Sequence, residues 1–318
     1  TTLRALRNRF DPFDQVSNRL KQLSLIGHST DKCELIIMGG TFLSWQQQKQ
    51  EAFIKGCLDA MNGTAADSLL TAQKQNETAQ HRCIGLTFET RADYCTDAHI
   101  ARMLSYGCTR VEIGVQSTSN EILALIKRGH DTSMNKAAIQ RCKEAGLKVC
   151  AHWMPGLTGL EKLDIGRELA LFQALFDDPA YRIDELKIYP TLVIPGTELY
   201  AQWKHGMYQP LTTEEAAELL IAMKKIVPPY IRIKRIMRDI SEHEAHAGAR
   251  TTNLRQLIAT IMERRNEHCF CIRCREVGLM AKKGIVADSI ELVRRDYDAS
   301  QGKEIFLSYE DIERNILV

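Results

Sequence analysis

Thr109-Arg110-Val111-Glu112-Ile113-Gly114-Val115-Gln116-Ser117, with Arg128-Gly129-His130 close behind, is the stretch on which the reading of the fold turns. Its β-branched run predicts a strand buried in a sheet, and a glycine inside such a strand marks a place where something passes close to the backbone. Gln116 and Ser117 then emerge at the strand's carboxyl end. Ligands bind at that end of open or barrel-like α/β sheets, so two small polar side chains there read as a pocket wall. A turn that needs its own polar groups satisfied would use the same residues.

Outward from this strand the chain alternates. Apolar runs over residues 34–38, 82–88, 110–115, 147–152, 185–189 and 230–236 predict strands, and 3.6-period patterns over 11–26, 47–61, 68–81, 96–106, 133–145, 166–176 and 213–226 predict helices between them. Strand-helix alternation sustained in this way argues for a parallel sheet with helices outside, an open or full barrel of the (β/α) type. The polar motifs Gly39-Gly40-Thr41, Glu89-Thr90-Arg91, Gln116-Ser117 and Met154-Pro155-Gly156 all follow a strand. Past Asp239 the rhythm breaks: a helix is expected over 253–266, short strands over 284–293 and 304–308, and a domain boundary near Ser241 to Thr252.

The chain has 318 residues, 44% hydrophobic and 26% charged, with a formal net charge of +2, the composition of an ordinary globular protein. No apolar run approaches the roughly 18 to 20 residues that cross a bilayer, and Thr1 to Arg9 has no apolar core of a signal peptide, so the cytoplasm is the default expectation. Of ten cysteines, Cys33, Cys57, Cys83, Cys95, Cys108, Cys142 and Cys150 stand singly in apolar contexts and read as reduced core residues. Cys269, Cys271 and Cys274 differ. A C-x-C-x-x-C spacing lets several thiolates converge on one ion, so structural zinc is favoured over free thiols and over an iron-sulfur centre; His268 is one candidate for the fourth ligand.

Gly39 and Gly40 for close backbone approach, Glu89 and Arg91 as a charged pair, and Gln116, Arg128 and His152 form the set expected at the sheet's ligand edge. A ligand carrying both an amino acid moiety and a ribose needs such groups: an arginine for the carboxylate, acidic or amide groups for the sugar hydroxyls. An Arg-Glu pair bridging loops, with glycines serving turns, would explain each residue singly.

These motifs, with Arg128 twelve residues beyond Gln116, resemble the radical S-adenosylmethionine (SAM) superfamily. More narrowly, Arg9-Phe10-Asp11-Pro12, Ile26-Gly27-His28, Ile37-Met38-Gly39-Gly40-Thr41-Phe42, Lys187-Ile188-Tyr189-Pro190-Thr191-Leu192-Val193-Ile194 and Cys271-Ile272-Arg273-Cys274-Arg275-Glu276-Val277-Gly278 resemble the Elongator catalytic-subunit family, over nearly the whole chain. The resemblance implies an α/β fold with a partial (β/α) barrel of the radical-SAM type over residues 1–240. Residues 241–318 would then carry a linker helix, a small zinc-binding region and the start of an acetyltransferase domain. It implies carboxymethylation at C5 of the tRNA wobble uridine: a [4Fe-4S] cluster cleaves SAM, a deoxyadenosyl radical takes hydrogen from the acetyl group of acetyl-CoA, and the carbon radical adds to the base.

By the family's pattern Gly39, Gly40 and Thr41 would cradle the methionine end, Gln116, Ser117 and Arg128, with Glu89, Arg91 and His152, would complete the SAM pocket, and Lys32 would touch acetyl-CoA. The three cluster cysteines of such enzymes have no counterpart in this sequence, and most acetyl-CoA contacts would lie past Val318, so the chain as written is not expected to turn over. For tRNA, the alternating Ile231-Arg232-Ile233-Lys234-Arg235-Ile236, with Arg238, and the N-terminal Arg4 and Arg7 offer positive charge, although a solvated charged face would look alike. A homodimer or Elongator-type subunits are further expected partners. The alternatives are another radical-SAM reaction, such as porphyrinogen oxidation, and a non-catalytic tRNA-binding scaffold.

Overall fold

Six runs rich in aliphatic and β-branched residues form the strands β1 (Lys32–Ile37), β2 (Arg82–Thr90), β3 (Arg110–Gln116), β4 (Lys148–Trp153), β5 (Glu185–Ile188) and β6 (Arg232–Ile236). They are hydrogen-bonded in sequence order, β1-β2-β3-β4-β5-β6. The computed structural model describes residues 2–157, 164–238, 240 and 244–318. β1 with β2, β2 with β3, β4 with β5 and β5 with β6 all pair in parallel. Parallel neighbours need long crossovers, and helices such as Gln47–Asn62, Asp97–Ser105, Thr132–Glu144, Ile165–Asp177 and Thr213–Ile226 supply them. β3 is buried from Val111 to Gln116 without alternation, as a strand covered on both faces must be.

The chain divides into two compact units, Thr1–Ile113 with Arg141–Lys148, and Gly114–Gln140 with Val149–Val318. In the first, Ile54, Phe88, Met103, Val111 and Ile113 form the core; in the second, Val149, Trp153, Phe172, Leu175, Leu186 and Ile233 do. The expected boundary near Ser241 to Thr252 falls partly on residues 241–243, outside the described residues. Among the described residues no helix is long and apolar enough to cross a membrane.

Past β6 the structure corrects the reading of the sequence. The expected short strands at 284–293 and 304–308 are instead a long antiparallel hairpin, β7 (Glu291–Ala299) with β8 (Gly302–Asp311), and β9 (Ile316–Leu317) pairs with β8. The turn residues Ser300 and Gln301 both have positive φ, 48° and 67°, the backbone twist that a two-residue hairpin turn demands. Neither is glycine or asparagine, so the turn left no signal. The expected helix over 68–81 spans Leu69–Asn76, where Asn76 leaves the helical pattern: its Oδ1 accepts from Cys83 N and its Nδ2 donates to Asn62 Oδ1. A short helix, Thr2–Arg7, also escaped the pattern.

The hairpin is fastened by a buried ion network. Glu310, 3% exposed, receives both guanidinium nitrogens of Arg295 (2.7 and 2.8 Å), the Ser308 hydroxyl (2.6 Å) and Arg275 (2.8 Å). Arg275 also donates from Nε to Phe270 O and from Nη2 to Pro229 O. Burial pushes the Glu310 carboxyl up, but the bonds from Arg295, Ser308 and Arg275 outweigh it and draw the group down to about 2. A carboxylate held below its unfolded value stabilises the fold above that value and loses the contribution as pH falls. Glu310→Gln should cost about 3–5 kcal/mol in chemical denaturation, because Arg275 stays buried with its charge uncompensated. In the native protein, stability should decline as pH is lowered from about 4.5 towards about 2; a stability flat over that window would contradict the network's role.

Candidate active site

The carboxyl end of β3 is built around a missing side chain. Arg128 Nη2 donates to Gly114 O at 3.0 Å, and a Cβ placed on Gly114 would lie 2.2 Å from that same Nη2 and 2.9 Å from Gln116 Nε2. Gly114 is thus glycine because Arg128 and Gln116 fold back over it. Gln116 takes φ +67°, an uncommon conformation for a residue with a side chain, and its buried Oε1 has no hydrogen-bond partner. A buried acceptor left open costs free energy unless a ligand or water fills it.

Ser117 behaves otherwise. Its backbone N–H bonds Val115 O at 2.8 Å and its Oγ accepts from Ser119 N at 3.2 Å, so it serves the turn. His152, 3% exposed in β4, packs edge-on against Tyr189 with ring centroids 5.2 Å apart. The Pro155-Gly156 turn after β4 is held on both sides: Thr191 donates from N and Oγ1 to Pro155 O, and Tyr208 donates its hydroxyl to Gly156 O. Glu168 accepts from the Gly156 backbone, and burial pushes its carboxyl up to about 7 against that bond.

In the other unit, Gly39 (φ +134°) and Gly40 (φ +81°) follow β1 with open space where a Cβ would stand, the backbone exposure a cradling loop needs. Thr41 leads into a short 3-10 turn, Phe42–Ser44. Arg91 binds Asp93 through Nε and Nη2, both at 2.9 Å, so the expected Glu89–Arg91 pair is corrected: Asp93 lies in the 3-10 turn that follows, within easier reach of the fork than a residue on the strand. Thr90 Oγ1 is buried without a partner. Lys32 opens the six-residue β1 and is exposed. At about 3.3 Å per residue it stands on the order of 20 Å from Gly39 and Gly40, so the structure does not bring these groups together.

Cys269, Cys271 and Cys274 are the only cysteine trio among the described residues whose sulfurs lie within 4.8 Å of one another. Ile272 N bonds Ile231 O, which sets the trio at the amino end of β6, opposite the carboxyl end of that strand. Lys224, 4% exposed, donates to Cys274 Sγ at 3.3 Å. Hydrogen bonds from the Cys269 and Cys271 thiols, aided by the Lys224 ammonium, hold Cys274 far below the ordinary thiol range. His268 is exposed and outside the sulfur group. Among the described residues of the barrel no three cysteines come together, so these residues do not themselves hold a SAM-cleaving iron-sulfur cluster.

The basic groups divide. Arg232 binds Glu276 at 2.7 Å and Lys234 binds Glu185 at 3.2 Å, both partly buried, while Arg235 is half-buried and Arg238 lies over the Tyr189 ring at 5.2 Å. Arg4 and Arg7 are exposed on Thr2–Arg7. Gln50 fixes the loop after β1 yet escapes sequence reasoning: it follows a polar run, Gln46 to Lys49, that disguises a fully buried side chain.

The Radical SAM superfamily model matches residues 7–171 and the Radical_SAM C-terminal domain matches 183–264. The chain belongs to the radical SAM superfamily, and its fold is that superfamily's partial (β/α) barrel. Within it, the chain belongs to the Elongator catalytic-subunit family: it is 49% identical over 320 residues to a Methanocaldococcus jannaschii protein named tRNA uridine(34) acetyltransferase, covering 100% of this chain and 59% of that protein. It is 42% identical to human Elongator complex protein 3, covering 58% of it. The solved structure of Methanocaldococcus infernus Elp3 with an N-terminal deletion (1–46) aligns at TM-score 0.95 with 49% identity, over 99% of this chain and 74% of that one. The chain spans under two thirds of the length of these two curated relatives.

The packing at Gly114 generates a direct expectation. Gly114→Ala should displace Arg128 and Gln116 and weaken SAM binding by the full-length protein roughly 10- to 100-fold, the worth of one charge-assisted hydrogen bond. Equilibrium dialysis with labelled SAM measures it, and unchanged affinity would remove Arg128 and Gln116 from the ligand site.

Proposed function

We propose that this chain is part of an enzyme that installs a carboxymethyl group at C5 of the tRNA wobble uridine, using SAM and acetyl-CoA. Identity of 49% along the whole chain to a protein named tRNA uridine(34) acetyltransferase carries the reading. The groups of this chain support it by what they offer a ligand. Gly39 and Gly40 leave backbone open for the methionine end of SAM, with Thr41 beside them. The buried, unpartnered Gln116 Oε1 is an acceptor for an ammonium or a ribose hydroxyl, and Arg128 supplies positive charge beside it. Glu89, Arg91, Ser117 and His152 complete the assignment, with Arg91 and Ser117 acting through the loops they brace. When bound and given one electron by a reductant, SAM would supply the radical chemistry for which the superfamily is named, with methionine as the leaving group.

Lys32 is assigned to acetyl-CoA at the other end of β1, which requires the acetyl group to travel or the thioester to lie along the strand. Arg4 and Arg7, exposed on one short helix, are the better candidates for phosphate contact; Arg232 and Lys234, engaged with carboxylates, and Arg235 and Arg238 are secondary ones. Elongator-type subunits or a second copy are the proposed protein partners. Cys269, Cys271 and Cys274 are assigned to structural zinc: three sulfurs already within one coordination sphere need only a fourth donor.

The full-length protein, reconstituted anaerobically and given a reductant, SAM, acetyl-CoA and tRNA, should yield 5-carboxymethyluridine in nucleoside mass spectrometry. In a salt titration of tRNA binding, Arg4→Gln/Arg7→Gln should weaken affinity and flatten its salt dependence by roughly 1.5 to 2 in log-log slope. Absence of the modified base, with SAM cleavage intact, would overturn the reaction. Metal analysis should find about one zinc per chain and close to none in Cys271→Ser; equal metal in both would overturn the zinc site.

A further inference from the structure

Trp45 is 49% exposed, in the loop that follows Gly39 and Gly40. A tryptophan left half in water is unusual when a core lies within reach, and here the loop is built to keep it there. Phe42 and Leu43 plug the core at 5% and 2% exposure, and the Trp45 N–H bonds Phe42 O at 3.1 Å. Gln50, fully buried, donates its Nε2 to Trp45 O at 2.7 Å and to Leu43 O at 3.2 Å, while its Oε1 accepts from the buried Tyr106 hydroxyl at 3.2 Å. One amide on a core helix therefore fixes both carbonyls that aim the indole. The ring rests on Phe42 (centroids 5.2 Å apart, 46°) and edge-on to Phe53 (6.0 Å, 87°), which stops it from rotating and leaves the rest of it to solvent.

A locked aromatic presented beside an open glycine backbone, at a sheet's ligand edge, is what stacking on a flat ring requires. We propose that Trp45 is a stacking platform for an unpaired nucleobase of the RNA substrate. The inference rests on the tRNA reading above, because a wobble uridine lies in a single-stranded loop whose bases can be splayed onto aromatic side chains. Gln46 and Gln48, exposed and close to Trp45 in the chain, add amide groups able to bond base edges without choosing among them. The adenine of SAM has the same flat chemistry, so the test separates the two sources.

Within this chain Trp153 is 1% exposed, so Trp45 and Trp203 are its tryptophans open to a surface quencher, and the difference between the parent and Trp45→Phe isolates the signal of Trp45. In the full-length protein with Trp203→Phe as background, an anticodon stem-loop RNA bearing the wobble uridine should quench emission, and Trp45→Phe should measurably reduce that quenching while keeping affinity within about threefold. Trp45→Ala should weaken RNA binding about 5- to 100-fold, as loss of one stacked base does. Thermal unfolding of both variants near the parent's midpoint is expected, since the ring is half out of the core. RNA that binds the parent but is indifferent to Trp45→Ala would overturn the platform and leave the tRNA reading intact. RNA that fails to bind the parent would overturn both. Quenching by SAM alone, with none from RNA, would reassign the ring to the cofactor and overturn the proposal.

Discussion

Arg128 reaches the carbonyl of Gly114 only because position 114 has no side chain, and the carboxyl end of β3 is organised by that approach. A strand buried from Val111 to Gln116 has no free face on which to display polar groups, so function must be gathered where the strand stops. There the backbone turns left-handed at Gln116, which aims an amide inward and leaves its oxygen without a protein partner. Strain and an unfilled acceptor in adjoining bonds are costs that a bound ligand can offset.

Two further networks share one economy of means. Gln50 holds the loop that carries Trp45 through two carbonyls, and Arg275 holds the cysteine loop through Phe270 O, the approach to β6 through Pro229 O, and the hairpin through Glu310. In each case a buried multidentate side chain replaces the regular ladder that irregular backbone lacks. Such groups are cheap to keep only if every donor is satisfied. Gln50 meets that condition, with its Nε2 shared between two carbonyls and its Oε1 accepting from Tyr106.

The barrel was legible because parallel strands are uniformly apolar and each ends in a turn motif; residues 110–116 announce themselves by β-branching alone. The hairpin was not, since β7 and β8 alternate exposed and partly buried residues and carry Leu292, Ile305, Leu307 and Tyr309 outward, a pattern that hides which face is the core. Close approach at Gly114 could be read from a glycine inside a strand, with its neighbour Arg128 named from the same stretch. The partner of Arg91 could not, because a strand residue and a turn residue compete for one guanidinium and spacing does not rank them. Ser117 illustrates the same ambiguity: a pocket wall and a turn need the same hydroxyl, and only the bond to Ser119 N separates them. Buried glutamine is invisible among exposed ones, which is why Gln50 left no trace.

Arg275 has a chemical consequence of its own. Its Nε, Nη1 and Nη2 diverge in one plane towards a carbonyl five residues back and two segments distant in the chain, at 2.7, 2.8 and 2.8 Å. A lysine would keep the charge but concentrate its donors on a single tetrahedral nitrogen at the end of a supple stem, able to serve Glu310 or one of the two carbonyls at a time. At this position a change counted as conservative by charge would sever two of three ties, so the identity of the cation, and not its sign, is what joins the cysteine loop to the sheet.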